Sequence, residues 1–316
     1  MNIAVVIPCY KVSDHIMKII ESIGAGVDRI YVVDDLCPEG SGDLVETNCN
    51  DSRVLVIRNK KNLGVGGAVI KGYAQAIDEG MEVVVKIDGD EQMDTALIDL
   101  FVKPILEGKA DYTKGNRFFS LDEIMTMPKI RILGNVMLSF LCKFSSGYWG
   151  IFDPTNGYTA IHVSVLKALP LNKIDERFFF ESDMLFRLNI IRAVVLDIPM
   201  CSRYQDEVSN LKVYKVIPIF LYKHFINTLK RLFYNYYLRD MSIASIELPL
   251  GLILLIFGSV YGGINWNDSQ EMGVNASAGV VMIASLPIII GLNLILGFLN
   301  FDINSEPKMP IHERLK

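Results

Sequence analysis

Two carboxylates one residue apart close an apolar run in Val83-Val84-Val85-Lys86-Ile87-Asp88-Gly89-Asp90-Glu91-Gln92, and a carboxamide follows two residues later. β-Branched residues in succession read as a buried strand, which places Asp88, Asp90 and Gln92 at its carboxyl end. In open α/β sheets that end is where ligands bind. Oxygen donors of this kind suit Mg2+ or Mn2+, ions that also grip substrate phosphates. Taken alone, the stretch fits either a metal-diphosphate site or an ordinary acidic turn. A second carboxylate pair, Asp34-Asp35, ends the run Arg29-Ile-Tyr-Val-Val33 in the same way. Asn62-Leu-Gly64-Val-Gly66-Gly67-Ala68 then leads into helical spacing that reaches about Asp78. Glycines at a helix entry, with its free amides and dipole, suit an anion or nucleotide, or simply a tight turn. Their spacing is not that of the dinucleotide fingerprint.

These residues need elements to hold them. Asn2 to Pro8, Arg29 to Val33, Arg53 to Ile57, Val83 to Ile87, Ala110 to Gly115 and Val194 to Ile198 predict strands, and Asp153-Pro-Thr-Asn-Gly157 is a turn feeding another. Helical spacing lies between them. One helix is capped by Ser13 and ends near Ile23, and another runs from Thr95 to Leu106. A third carries Arg131, Met137 and Phe140, and a fourth begins around Glu181 and Asp183 and ends at Ile191. Strands and helices alternating in this way predict a parallel, doubly wound sheet.

Charge is spread unevenly over the 316 residues, and the net charge of -5 averages an acidic globular part with a basic flank. No strongly basic domain points to nucleic acid. Charged residues are absent between Glu247 and Asp268 and again between Glu271 and Asp302. Each gap satisfies the ~20 apolar residues needed to cross a bilayer, so two transmembrane helices are predicted. Lys223, Lys230, Arg231 and Arg239 precede them, Lys308, Arg314 and Lys316 follow, and the connection from Asn267 to Asn275 has no Lys or Arg. The positive-inside rule then predicts a cytoplasmic catalytic part and two cytoplasmic termini. From Lys212 to Asp240, aromatic and aliphatic residues interleave with lysines, which predicts amphipathic helices in the membrane interface, one of them broken or started at Pro218. The expected organisation is a catalytic domain over 1–212, interfacial helices over 213–241, spans over 242–302 and a tail over 303–316. Met1 leads straight into a strand, which predicts no cleavable signal. Five cysteines without C-x-x-C spacing read as reduced thiols, neither a zinc site nor a disulfide frame. Gly258 and Gly262 would let spans pack closely, and a homo-oligomer is left open.

Val6-Ile-Pro-Cys-Tyr10, Asp34-Asp35, Asn62-x-Gly64-x-Gly66-Gly67-Ala68, Asp88-Gly-Asp90-x-Gln92, Gly115-Asn-Arg117 and Asp153-x-x-x-Gly157 occur in this order. Together they resemble the family 2 glycosyltransferases of the GT-A fold, and specifically the polyprenyl-phosphate glycosyltransferases typified by dolichyl-phosphate mannose synthase. The resemblance runs from Val5 to about Lys212. It implies a Rossmann-like, mostly parallel sheet followed by interface helices and two spans. It also implies roles for residues. Pro8, Tyr10 and Asp35 would line the nucleotide pocket, with Gly64 and Asp88 on the nucleotide sugar. Asp88, Asp90 and Gln92 would hold Mg2+ or Mn2+ on its diphosphate. Arg117 and Arg131 would receive the phosphate of a polyprenyl acceptor, and Asp153 to Gly157 would shape the sugar and acceptor side.

The implied reaction is an inverting sugar transfer from a nucleotide diphosphate to a lipid phosphate. Charge that develops on the leaving diphosphate needs neutralising, which makes Asp90 and its metal catalytic. An ionised phosphate acceptor needs guanidinium groups more than a base, which makes Arg117 catalytic. A hydroxyl acceptor on a glycan or glycolipid would instead need a carboxylate base, with Asp183 best placed and Glu181 second. Lys11-Val12 stands for the family's Asn-Glu, Asp35-Leu36-Cys37 for its Asp-Gly-Ser, and Met93 for a histidine. These departures leave base and sugar open.

Overall fold

The computed structural model describes residues 2–119, 124–125, 129–201 and 213–315, without the side chains of 131 and 213–215. The chain divides into two compact units, Met1–Leu229 with Pro307–Lys316, and Lys230–Glu306.

In the first unit the described strands are β1 (Ile3–Cys9), β2 (Arg29–Asp34), β3 (Val54–Arg58), β4 (Val83–Lys86), β5 (Tyr112–Asn116), β6 (Thr159–His162) and β7 (Val195–Pro199). They form one seven-stranded sheet in the order β3-β2-β1-β4-β6-β5-β7. Every pairing is parallel except those of β6, which runs against both β4 and β5. Successive residues point to opposite faces, so near-continuous apolar strands feed two cores. Ala4, Val6, Tyr31, Val33 and Val84 enter one core. Val5, Ile7, Ile30, Val32, Val83 and Val85 enter the other. Described α-helices that lie wholly in this unit include α1 (Ile16–Ser22), α2 (Ser41–Asn48), α3 (Val65–Asp78), α4 (Ile98–Leu106), α5 (Lys129–Ser146), α6 (Val163–Ala168) and α7 (Phe180–Ile190).

Two helix starts differ from expectation. Helix α1 is capped by His15 without a side-chain hydrogen bond, because the Ser13 hydroxyl donates to Glu39 instead (2.9 Å). The helix expected at Thr95 opens with a 3-10 turn, Thr95–Leu97, whose leading Asp94 accepts from the Ala96 amide. Pro218 neither breaks nor starts a helix: α8 (Val213–Phe233) continues through it and leads into a π-helical turn, Tyr234–Arg239.

Helix α8 ends in the second unit, where α9 (Ala244–Met272) and α10 (Ala278–Asn304) follow. Both are long and apolar enough to cross a membrane. Asn267 and Asp268, expected in the connection, extend α9, which stops where Gly273 takes a left-handed conformation (φ 64°) and Ser277 caps α10. The helices meet through small residues. A Cβ at Gly251 would lie 2.9 Å from the Gly291 carbonyl, and one at Gly258 would lie 2.6 Å from that of Ala284. Gly258 and Gly262 therefore serve packing within the hairpin. Its open end is fastened by buried Arg231, bidentate on Asp302 (2.6 and 3.0 Å), with the Tyr236 hydroxyl donating to the same carboxylate (2.5 Å).

Gly251→Val should force the two helices apart and cost about 1–3 kcal/mol, the range for overpacking. Thermal unfolding in detergent should show the loss. Gly263→Ala, where an added Cβ inside the helix meets nothing within 4 Å, should leave the transition in place or raise it slightly.

Candidate active site

Because β1, β2, β4 and β5 run the same way, Cys9, Asp34, Lys86 and Asn116 end at one edge of the sheet, and the reversed β6 brings its amino end there. Loops at this edge are tightly constrained. Lys11 (φ 59°), Leu36 (φ 56°), Glu91 (φ 60°) and Asp153 (φ 53°) all occupy the left-handed region that side chains rarely adopt. Such conformations concentrate where surrounding structure fixes a functional geometry.

Lys86 and Asp88 lie two residues apart, and the fully buried Lys86 ammonium sits 2.8 Å from Asp88 Oδ1 and 2.9 Å from Glu181 Oε1. Desolvation alone would lower its pKa, but the two carboxylates outweigh burial and raise it. At Glu181 burial dominates and shifts the carboxyl upward, with Asp88 adding to the effect and Lys86 opposing it. Gly157 lies against the same pair: a Cβ there would fall 2.0 Å from Asp88 Oδ2. Next along the loop, Asp90 Oδ1 accepts from the Gln92 amide (3.2 Å), and the Asp88 amide meets Met93 Sδ (3.3 Å).

The donor set fits a divalent metal. Asp88, Asp90 and Gln92 offer hard oxygens and are each part-exposed. Among the described residues no group of three or more His, Cys, Asp or Glu converges to hold an ion unaided. Few protein ligands, with substrate phosphates completing the shell, is how Mg2+ is usually held.

The carboxylate pair after β2 has a different character. Asp34 accepts from the Cys37 (2.7 Å) and Gly42 (3.1 Å) amides. Asp35 is buried, with Oδ1 accepting from Asn59 and the Leu63 amide and Oδ2 from the Gly64 amide, each at 2.8 Å. It organises the 59–64 loop. The amides at the α3 entry are also engaged. Gly67 N donates to the Glu176 carbonyl (2.9 Å), and a Cβ at Gly66 would lie 2.4 Å from the Asp175 carbonyl. The glycines thus allow residues 175–177 to pack on α3. Tyr10 is exposed beside part-buried Pro8. Nearby, burial raises the Cys37 thiol pKa, but hydrogen bonds from Ser41 and the Lys11 amide outweigh it and the net shift is downward.

Arg117 follows β5 and is bidentate on buried Asp153, with Nε to Oδ2 at 2.7 Å and Nη2 to Oδ1 at 2.6 Å. Burial opposes ionisation of Asp153, yet the Arg117 hydrogen bonds and charge hold its carboxyl below the usual range. Beneath it, Lys114 bonds the Phe152 carbonyl (2.5 Å) and Asp197 (3.1 Å), fixing that loop to the sheet. Arg131 lies in the first turns of α5, and its side chain is outside the described residues. Asp183 turns away from Lys86: its oxygens accept from the Asp175 amide (3.0 Å), Arg187 (2.8 Å) and Asn227 (2.9 Å). Sequence reasoning assigned no role to Lys86, although a lysine inside a β-branched run, two residues before a carboxylate, was the available signal.

A profile of the glycosyl transferase family 2 matches residues 4–169, just over half of the chain. The chain belongs to that family. It is therefore a glycosyltransferase, and its mixed sheet is of the GT-A type. It is similar to the UDP-N-acetylglucosamine–dolichyl-phosphate N-acetylglucosaminyltransferase of Methanococcus voltae, 27% identical over 181 residues, covering 53% of this chain and 72% of the other. It is also similar to the undecaprenyl-phosphate mannosyltransferase of Micrococcus luteus, 25% identical over 204 residues, covering 63% and 83%. Among solved structures, glucosyl-3-phosphoglycerate synthase of Mycobacterium tuberculosis, bound to Mn2+, UDP and glucosyl-3-phosphoglycerate, superposes with a TM-score of 0.52 at 17% identity, covering 73% and 79%. The last likeness bears on the fold alone.

In this transferase, Asp153→Asn should cost about 3–5 kcal/mol at neutral pH, the range for breaking a buried ion pair. A carboxylate with a depressed folded pKa contributes stability that is fully present above its unfolded pKa, near ~4, and lost as pH falls through the folded value. The gap between wild type and variant should therefore narrow on acidification below about pH 4. A gap in unfolding free energy that widened there would contradict the assignment.

Proposed function

We propose that this transferase moves one sugar, with inversion, from a nucleotide diphosphate to a polyprenyl phosphate at the cytoplasmic membrane face. The observation that carries the proposal is the shared sheet edge of Asp88 and Arg117, one suited to a metal-bound diphosphate and the other a guanidinium held rigid by Asp153. The relatives named for dolichyl and undecaprenyl phosphate support a lipid-phosphate acceptor. Exposed apolar faces support a membrane surface. Helix α5 shows Ile130, Leu133, Met137 and Phe140, and α8 shows Ile217, Leu221 and Phe225.

Asp88, Asp90 and Gln92 would hold Mg2+ or Mn2+, which when bound supplies positive charge for the leaving diphosphate. Pro8 and Tyr10 would flank the nucleotide, with Asp35 shaping its loop. Arg117, with Arg131 from α5, would draw the acceptor phosphate toward the anomeric carbon against the repulsion of two anions. A phosphate oxygen then forms the new bond to that carbon as the bond to the diphosphate breaks, and no proton has to be removed. Transfer to a hydroxyl would require one. The three hydrogen bonds that occupy Asp183 favour the phosphate acceptor over it. The basic flanks support cytoplasmic ends on both sides of the hairpin.

Purified protein incubated with Mg2+ or Mn2+, polyprenyl phosphate and a panel of sugar nucleotides should yield one lipid-linked sugar, identified by mass. No lipid product from any donor would refute the proposal. Asp90→Ala should lower the transfer rate at least ~100-fold in a folded protein, as expected when charge stabilisation of the transition state is lost. Arg117→Ala should raise the apparent KM for polyprenyl phosphate more than that for the donor, and an effect confined to the donor would move Arg117 to the diphosphate.

A further inference from the structure

Lys86 is among the largest fully buried side chains of the protein, yet it sits in a strand otherwise made of valine. A lysine buried without partners costs several kcal/mol, so its place depends on what it holds. It holds two carboxylates 93 residues apart in the chain, Asp88 two residues beyond the end of β4 and Glu181 in the first turn of α7. Lys86 closes β4, so the ammonium that meets Asp88 Oδ1 at 2.8 Å is placed by the sheet. Gly157 packs on both groups: β6 pairs Thr159 with Lys86, and two residues earlier a Cβ would fall 2.0 Å from Asp88 Oδ2 and 2.6 Å from Lys86 Nζ. The Lys86–Asp88 pair is thus covered by backbone that leaves no room for a side chain.

We propose that Lys86 is the positioning residue of the donor site, an internal cation that fixes Asp88 in the orientation from which it binds metal and ties it to α7 through Glu181. Without Lys86, two carboxylates that had shared one ammonium would face each other, and Asp88 would turn toward water. Helix α7 would lose its tie as well. Residues 175–177 just before it pack on Gly64 to Gly67, and Lys223 and Asn227 of α8 bond Asp175 and Asp183. One ammonium therefore sets the donor carboxylate in register with the helix that contacts α8.

The proposal rests on the metal-diphosphate reading and makes a prediction of definite sign. If Lys86 were only a bystander charge, its removal would strengthen cation binding, since a nearby positive charge repels Mn2+. If it positions Asp88, removal weakens binding. Mn2+ titration with UDP or GDP present, followed by the EPR signal of the free ion, should show at least ten-fold weaker binding in Lys86→Met than in wild type. Unchanged or tighter binding in a folded variant would overturn the proposal. Should Lys86→Met fail to fold, Lys86→Met with Glu181→Leu removes one charge of each sign, a replacement buried pairs often tolerate. It should show the same weakening, and wild-type affinity in it would overturn the proposal. A wild type that binds no Mn2+ with either nucleotide removes the metal reading and this inference with it.

Discussion

Strand direction is the constraint on which the rest of this structure depends. Parallel strands deliver all their carboxyl ends to one edge, which collects Cys9, Asp34, Lys86 and Asn116 and the loops that follow them. A fully parallel sheet would send the segment before β6 to the opposite edge. Reversing β6 alone brings Asp153 to Gly157 back to the working edge, between the strands that lead to Asp88 and Arg117. Asp153 can then grip Arg117, and Gly157 can lie against Asp88. One antiparallel strand thus supports the two halves of the site from the middle.

The edge concentrates negative charge, and the protein answers it with buried cations placed from below. Lys86 stands under Asp88 and Glu181, and Lys114 under Asp197. Arg117 is paired with Asp153. Each cation lies on a strand or directly after one, so its position follows from sheet register and not from a mobile loop. Buried pairs of this kind add little net stability, because desolvation consumes most of the Coulomb gain. What they confer is fixed geometry, because each charge is held in place by its partner and by the sheet.

Much of this was legible in the sequence because the physics was local. Runs such as Ile3 to Ile7 and Val83 to Val85 can only be buried strands, and the uncharged stretches after Glu247 are too long to be anything but apolar helices. The order of motifs carried the family. Contacts far apart in sequence were not legible. Nothing near Gly66 announces that Asp175 will pack on it, so its glycines suggested a phosphate cradle as readily as the packing seam that is present. The partners of Asp35, Asn59 and the amides of Leu63 and Gly64, were not legible either, because they lie more than twenty residues away. Likewise, sequence ranked Asp183 ahead of Glu181 as a base, and only the fold sends Glu181 to Lys86 and Asp183 to Asn227. Helix ends were the least legible, since Ser13 could cap a helix or reach Glu39 with equal chemistry.

The chain's last residues belong to the same unit as the sheet. Buried Asp111, just before β5, accepts from the amides of Ile311 (2.9 Å) and His312 (2.8 Å) and from the His312 ring (2.7 Å), which stacks on His162. Residues 307–316 are therefore part of the catalytic unit, which the chain leaves at Leu229 and rejoins at Pro307. An odd number of crossings between those points would strand His312 on the far side of the bilayer. The two candidate spans, antiparallel through Gly251 with Gly291 and Gly258 with Ala284, are an even number. Hydrogen bonds to one buried carboxylate thus agree with the same-sided ends expected from the basic flanks, and the two arguments share no residue type.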